Sequence, residues 1–456
     1  MVESVRPSTA EKALAINLDP SKYGTFAEIG AGQEVANWFF RTSATAGTVA
    51  KAMSAYDMTF SDSIYGECGR YVSRARLLQM IKHEYGILIE RLSLTKGEDS
   101  TFFAFANTVR AMPFKGGGEC HGWLGIRLQL APLSEPHDIL IHVRMLDEEN
   151  LDQMEALGIV GVNLIYAAFF YRDNLGMLTR SLMDDLSRKR IEIDMLKFDG
   201  PGFGHIDNRL CALELVDCEL TDAAIFKPDG EVVQPNEVLY KKPILLIRGA
   251  FNPVTNVHLD MLEATRKDFS NGLPAKNEYL EIMETTMDNL LETGHVDKEE
   301  FLRRADTMQA LGKTVLISRF AEFYSLTSYL ARYTTQPAAI VLGVHLLQQI
   351  FEDKWYEDLP GGTLEALGKL FKKNVKLYIY PGEQEGTVTT VADAPIPEHL
   401  HGIFNHFIEH QHIIGVDCSC PELLPYSPSD IRELQHDNEP KWKELVPKEV
   451  WKFFEV

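Results

Sequence analysis

Cysteine is scarce in this chain, with six in 456 residues: Cys68, Cys120, Cys211, Cys218, Cys418 and Cys420. Their irregular placement forms no disulfide framework and predicts reduced thiols in a cytoplasmic protein. Positive charge is also in short supply. Forty-five basic against 66 acidic residues leave a formal charge of -21, which excludes broad nucleic-acid binding but leaves room for a local basic pocket. No apolar run reaches the ~20 residues that span a bilayer. The longest, "GIVGVNLIYAAFFY" from Gly158 to Tyr171, reads as a buried strand or core helix, so no membrane partner is expected. The opening residues carry no apolar core flanked by a basic region, and no secretory signal is expected. Internal repeats and low-complexity tracts are missing too. What remains has the composition of a soluble globular protein, long enough for two or three domains.

In the N-terminal half, "TFFAFANTVRAM", "GWLGIRLQLAP" and "DILIHVRML" predict strands separated by Gly, Pro and charged turns. "NLGMLTRSLMDDLSRKR" has helical periodicity, with Leu175, Met177, Leu178, Leu182 and Leu186 apolar among polar neighbours. The polar segment "FKPDGEVVQPNEVLYKKP", Phe226 to Pro243, carries three prolines and places a domain boundary near residue 236. An α+β domain over 1–235 and a second domain over 236–456 are expected. Beyond the boundary, "ILLIRGA", "KTVLIS", "AAIVLG" and "VKLYIY" alternate with helical stretches, and Glu278 to Met308 reads as a long acidic helical region. Strands alternating with helices predict a doubly wound parallel sheet, in which ligands sit at the carboxyl ends of strands.

"GAFNPVTNVHL", residues 249–259, falls at such an end. Gly249 carries no Cβ, so backbone amides there can approach a ligand closely. A helix starting near Asn256 offers unpaired N–H groups and a positive dipole end to a phosphate. Thr255 adds a hydroxyl, and His258 stands one turn on, on the same face. An N-cap threonine followed by a core-facing histidine is the plainer alternative for a bare T-x-x-H. Near the C-terminus, "YSPSDIRELQ" repeats the theme: Ser429 is expected as an N-cap, with Arg432 one turn in and suited to fork onto phosphate oxygens.

The first stretch resembles the (H/T)-x-x-H signature of the nucleotidylyltransferase superfamily. In detail it is similar to the nicotinamide or nicotinate mononucleotide adenylyltransferases, whose loop reads G-x-F-N-P-x-T-N-x-H-L. Ser427, Ser429, Ile431 and Arg432 stand in register with that family's S-S-T-x-I-R segment, and "LVPKEVWKFF" resembles its final helix. In "LGVHLLQQIFEDKW", Gly343 and Leu346–Leu347 match the family's G-x-D-L-L, with His345 in place of the acid, and Trp355 matches a tryptophan shortly afterwards. The family's strand and lysine-bearing loop between Phe269 and Glu300 have no evident counterpart. Lys276, Lys298, Arg303 and Arg304 are the candidate replacement cations.

The resemblance covers about residues 240–456 and implies a Rossmann-like α/β nucleotidylyltransferase domain. It further implies adenylyl transfer from ATP, carried with Mg²⁺, to a pyridine mononucleotide, giving NAD or deamido-NAD and pyrophosphate. Thr255, His258 and Arg432 would be catalytic. Gly249, Ala250, Phe251, His258, Gly343, His345, Ser429 and Arg432 would hold ATP phosphates, and Asn252, Phe320 and Trp355 the mononucleotide. No dedicated metal cage is expected, and a homo-oligomer is. Competing readings are a non-catalytic nucleotide sensor or assembly module, and a superfamily transferase with another acceptor, such as a pantetheine phosphate or a CTP-dependent substrate.

Three further motifs weigh less. "HFIEH", His406 to His410, has inverted zinc-hydrolase spacing, but no third ligand is identifiable and an amphipathic helix is expected. "EIGAGQEVA", Glu28 to Ala36, hints at a dinucleotide loop without the expected preceding strand or later acid. "FKGGGECHG", Phe114 to Gly122, reads as an inter-strand loop, with Cys120 and His121 incidental neighbours.

Overall fold

Two units with separate cores meet in the chain between Thr221 and Asp222. The structure, a computed structural model, describes residues 6–454 apart from 31, 114–116, 274–277, 292–294, 373 and 385.

The first unit is built on β1 (Lys22–Gly30), β2 (Val49–Ala55), β3 (Thr101–Arg110), β4 (His121–Gln129), β5 (Pro136–Met145) and β6 (Ile191–Asp199). The three expected strands are β3 to β5. They form one mixed sheet in the order β2-β1-β3-β4-β5-β6, parallel from β2 to β3 and antiparallel onward. Alternation on β3 explains the layering. Phe103 and Phe105 enter a core shared with Val35, Phe39 and Leu157, while Phe102 and Ala104 meet Tyr85 and Leu88 of the helix Arg74–Lys96 on the other face. The longest apolar run lies in the helix Asn150–Phe170, whose 21 residues are enough to cross a membrane by length and composition. Most of its apolar stretch is packed inside this unit, as a core helix. Helix in the segment after it stops at Ser181, short of the expected span.

Two polar features of this unit correct the sequence expectations. Strand β1 does precede the glycine-containing loop, and the helix Glu34–Phe40 follows it. Glu28, near the end of β1, is buried and accepts the N–H groups of Val35 at 3.1 Å and Ala36 at 3.3 Å, with Asn107 Nδ2 at 3.2 Å. Its oxygens cap that helix start as acceptors. Burial nevertheless pushes its carboxyl up to about 7, against the lowering by these donors. The folded chain therefore holds a proton that the unfolded chain releases near pH 4.5, so this group's contribution is largest at low pH and is lost as pH rises towards 7. Glu28→Gln is expected to gain about 3 kcal/mol over the parent at pH 7 and almost nothing at pH 4, read from denaturant midpoints. A pH-independent difference between the two proteins would refute this.

His121, at the start of β4, is also more than an incidental neighbour. Its Nδ1 lies 3.0 Å from His142 Nε2, and His142 Nδ1 lies 2.6 Å from Asp194 Oδ1, with all three side chains buried. Burial first, and then the His142 charge, pushes the His121 imidazole down to about 3. Residues 114–116 of the adjoining glycine run lie outside the described residues.

The second unit contains β7 (Ala223–Phe226), β8 (Val232–Val233), β9 (Ile244–Arg248), β10 (Leu280–Thr286), β11 (Thr314–Ser318), β12 (Ala338–Gly343) and β13 (Val375–Tyr380). A small hairpin of β14 (Gly382–Gln384) and β15 (Thr387–Thr389) follows, and β16 (Ile413–Gly415) completes the main sheet. The eight strands run in the order β16-β13-β12-β9-β10-β11-β7-β8. Those from β16 to β11 are parallel, with β7 and β8 antiparallel at one edge. The fold is thus α/β with a largely parallel sheet. The chain builds outward from β9 through β10 and β11, then returns to the other side of β9 with β12. Between β9 and β12 lies the switch point, outside whose carboxyl ends such sheets bind ligands.

The boundary falls earlier than residue 236 because Ala223–Phe226 pairs with β11 as an edge strand of this sheet. The proline-bearing segment after it is that strand's hairpin and a short helix, Pro235–Leu239, not a linker. The acidic helical region expected over Glu278 to Met308 is likewise corrected. Its first part is the strand β10, and helix resumes at Met287–Leu290 and Lys298–Ala310. Glu281 tolerates the strand because Arg266 reaches it at 2.5 Å and Lys313 also pairs with it.

Candidate active site

All five residues of β9 are buried, and they deliver Arg248 to the strand's carboxyl end. Its Nε and Nη2 donate to the two carboxylate oxygens of Glu284 on β10, each at 2.9 Å. Nη1 donates to the Ala321 carbonyl at 3.0 Å, and the guanidinium lies 4.3 Å over the Phe323 ring. Ser318 Oγ, at the end of β11, donates to Glu284 at 2.6 Å. One buried carboxylate thus ties three strand ends together.

The loop after β9 is shaped by packing. Gly249 donates its N–H to the Glu284 carbonyl at 3.0 Å, and a Cβ on it would come 3.0 Å from the Phe251 ring. The glycine makes room for Phe251. Phe251 is buried in a left-handed conformation, φ +48°, and its ring meets His258 edge-on with centroids 5.1 Å apart.

The helix begins where expected, Asn256–Asn271, with Thr255 as its N-cap. His258 closes a capping box. Its backbone N–H donates to Thr255 Oγ1, while its ring Nδ1 accepts the Thr255 N–H at 3.0 Å and lies 2.9 Å from Thr255 Oγ1. The plainer capping role is therefore real. It also fixes the chemistry of the other nitrogen: an accepting Nδ1 leaves the proton on Nε2. Burial pushes this imidazole down to about 4, so it is neutral at pH 7 and presents an Nε2–H donor. The amides of Asn256 and Val257 sit at the same helix start.

Arg432 is brought to this loop from the helix Pro428–His436, its Nη1 donating to the Asn252 carbonyl at 2.7 Å. That helix is capped by Ser427 rather than by Ser429. Ser429 is exposed one step inside the helix, its Oγ 2.7 Å from Ser427 Oγ. Arg304 grips the other end of the loop, donating from Nη1 to Ala250 O at 3.4 Å and to Asn289 O at 2.8 Å while its Nε pairs with Glu300 at 2.8 Å. Among the candidate cations, Arg304 is thus buried as a loop tie and Arg303 pairs with Glu300. Lys298 opens the helix Lys298–Ala310, and Lys276 lies outside the described residues.

Beside the loop is a cavity of about 400 Å³. Gly249 and Ala250 form one wall, Thr286 ends β10 with Asp288 and Asn289 after it, and Glu322 and Phe323 follow β11. Leu346, Gln349, Trp355 and Tyr356 close the side after β12. Its size suits a small-molecule site, and its place is the switch point of the sheet. Trp355, half exposed, lines it. Phe320 does not: it is buried against Tyr329 with ring centroids 5.1 Å apart, a core residue. Asn252 is buried with its Oδ1 unpartnered, and it lies outside the cavity lining. Gly343 precedes the short helix Val344–Ile350, and the exposed His345 beyond it turns towards Gly382 rather than into the cavity.

Sequence reasoning missed Arg248, Glu284, Asp288, Asn289, Glu322 and Tyr356. Only Arg248 carried a signal, as the single charge closing the apolar run "ILLIR". The histidine-rich run has other partners. His399 meets Asp353 at 2.9 Å, His401 meets the Ile396 carbonyl at 2.8 Å, and His406 stacks with His410 at 4.4 Å. Cys418 lies 2.9 Å from the Tyr380 hydroxyl.

No protein-family model matches the chain, and no curated protein matches it. Among solved structures, the competence/damage-inducible protein CihA from Agrobacterium tumefaciens aligns at 17% identity and TM-score 0.26, covering 35% of this chain and 94% of that one. A CinA-superfamily protein from Enterobacter cloacae aligns at 15% and 0.26, covering 40% and 96%. A competence or damage-inducible protein from Enterobacter asburiae gives 16% and 0.25, covering 36% and 99%. Likenesses at these TM-scores assign neither a fold nor an activity to the chain.

Proposed function

We propose that the second unit is a Rossmann-like nucleotidylyltransferase, transferring the adenylyl group of ATP to a nicotinamide or nicotinate mononucleotide in the cytoplasm. The observation that carries the reading is the bond from Arg432 to the Asn252 carbonyl, 2.7 Å long. It joins the two sequence signatures at one loop, beside the His258 Nε2–H donor and the cavity at the strand ends. In this reading a 5'-phosphate oxygen of the mononucleotide attacks the α-phosphorus of MgATP in line, and the bond from that phosphorus to the pyrophosphate oxygen breaks. His258 and the amides of Asn256 and Val257 bear the charge that grows on the α- and β-phosphates. Arg432 and Ser429 hold the β- and γ-phosphates. Alignment and charge stabilisation supply the rate, with no covalent step on the protein.

Purified full-length protein given ATP, Mg²⁺ and either mononucleotide is expected to release pyrophosphate in step with dinucleotide formation. One observation favours a second reading, a nucleotide-binding sensor: the family's acid is replaced by His345, which is not among the cavity's lining residues and lies beside Gly382. Retention of ATP without product from either mononucleotide would select the sensor.

A further inference from the structure

The two candidate acceptors differ at one group, a neutral carboxamide against a carboxylate, on the same pyridinium ring. Charge along the cavity wall separates them. Arg248 is the one cation among the described lining residues, and Glu284 engages it through both oxygens. Asp288 and Glu322 also line the cavity, and neither carboxylate has an ion-pair partner among the described residues. Glu322 precedes the helix Phe323–Tyr333 without giving it a capping bond, so its oxygens are not committed there. Its charge is felt at the Tyr356 hydroxyl, which is held above the ordinary phenol range by burial first and by Glu322 next. Lys354, beside the cavity's Trp355, is matched by Glu352 at 2.5 Å.

We infer that this cavity selects the carboxamide, making nicotinamide mononucleotide the acceptor and rejecting the nicotinate form. The inference rests on the adenylyl-transfer reading. An acceptor carboxylate would meet two unpaired carboxylates and no free cation, a like-charge contact with no compensation. The carboxamide NH₂ brings the donor that Glu322 or Asp288 can accept, and the nicotinate ring offers none. The half-exposed Trp355 ring already carries the Lys354 ammonium 5.0 Å from its centroid, and its stacking surface does not discriminate between the two pyridinium rings.

The test compares kcat/KM for the two mononucleotides with full-length protein, MgATP and a fixed pH near 7.5. At least a roughly tenfold preference for the nicotinamide form is expected, the size of one well-placed polar contact. Glu322→Gln and Asp288→Asn, separately and together, remove the charges from side chains outside the sheet core. At least one of these proteins is expected to narrow the ratio to within about threefold by gaining activity on the nicotinate form. Equal use of both acceptors, or preference for nicotinate, overturns the inference while leaving the transferase intact, as does a ratio that no variant moves. Absence of product with either acceptor removes the transferase reading and the inference with it.

Discussion

Replacing His258 with alanine is expected to lower the rate of the proposed adenylyl transfer by about 10²–10³-fold, the usual cost of one preorganised donor to transition-state charge. Alanine also deletes the ring that caps the Asn256–Asn271 helix and packs on Phe251, so some loss of stability accompanies it. His258→Gln separates the two effects. Glutamine at the third helical position can accept the N-cap amide as a capping box requires. It lacks the rigid imidazole that holds an N–H one ring-width beyond the cap. The glutamine protein is expected to melt near the parent temperature yet transfer as slowly as the alanine protein, with thermal unfolding and pyrophosphate release as the paired measurements. Because burial holds the parent imidazole near 4, its protonation leaves the rate untouched between pH 6 and 8 and is felt only as pH falls towards 5. Full turnover in both variants would reduce His258 to a cap.

The second large effect is on the frame. Glu284→Ala leaves the Arg248 guanidinium buried without its bidentate partner and strips Ser318 of its acceptor. Loss of one member of a buried ion pair costs about 3–5 kcal/mol. In a unit of this size that lowers the melting temperature by roughly 6–20 °C. Replacing both residues together, Arg248→Met with Glu284→Leu, is expected to recover most of that loss, since the unpaired charge and its desolvation disappear together. The double variant would still transfer poorly, having lost a cavity wall. A single variant that melts within a degree or two of the parent would show that water reaches the guanidinium and that the pair is not the keystone proposed.

The same ion pair explains where sequence reasoning stopped. The strands it found in the second unit, "ILLIR", "KTVLIS", "AAIVLG" and "VKLYIY", are continuous apolar runs buried in a parallel sheet. Strand β10, "LEIMETT", is buried from Ile282 onward but carries Glu281 and Glu284, and its acids pointed to a solvated helix. Their partners Arg266, Lys313 and Arg248 are remote in sequence, so the compensation is invisible until the chain folds. Local capping chemistry was legible at Thr255 because cap and helix are adjacent. At the second helix the cap is Ser427, since Pro428 can occupy the first helical position without needing an N–H. Phe320 was misplaced for a different reason: an aromatic at a strand end reads alike whether it faces a ligand or Tyr329.

The loop from Gly249 to Val254 is held by two guanidiniums that arrive from far along the chain, Arg304 across 54 residues to Ala250 and Arg432 across 180 to Asn252. The Arg432 contact spans more of the chain than the pairing of Ile244 with Ala338 in the sheet and carries the larger closure entropy, whereas the Arg304 contact spans less. The Arg432 end of the loop is therefore expected to close after the sheet has paired. Under the proposed function, a partly folded chain would carry the sheet and its core before it could hold a phosphate, and competence to bind nucleotide would report completed folding rather than collapse.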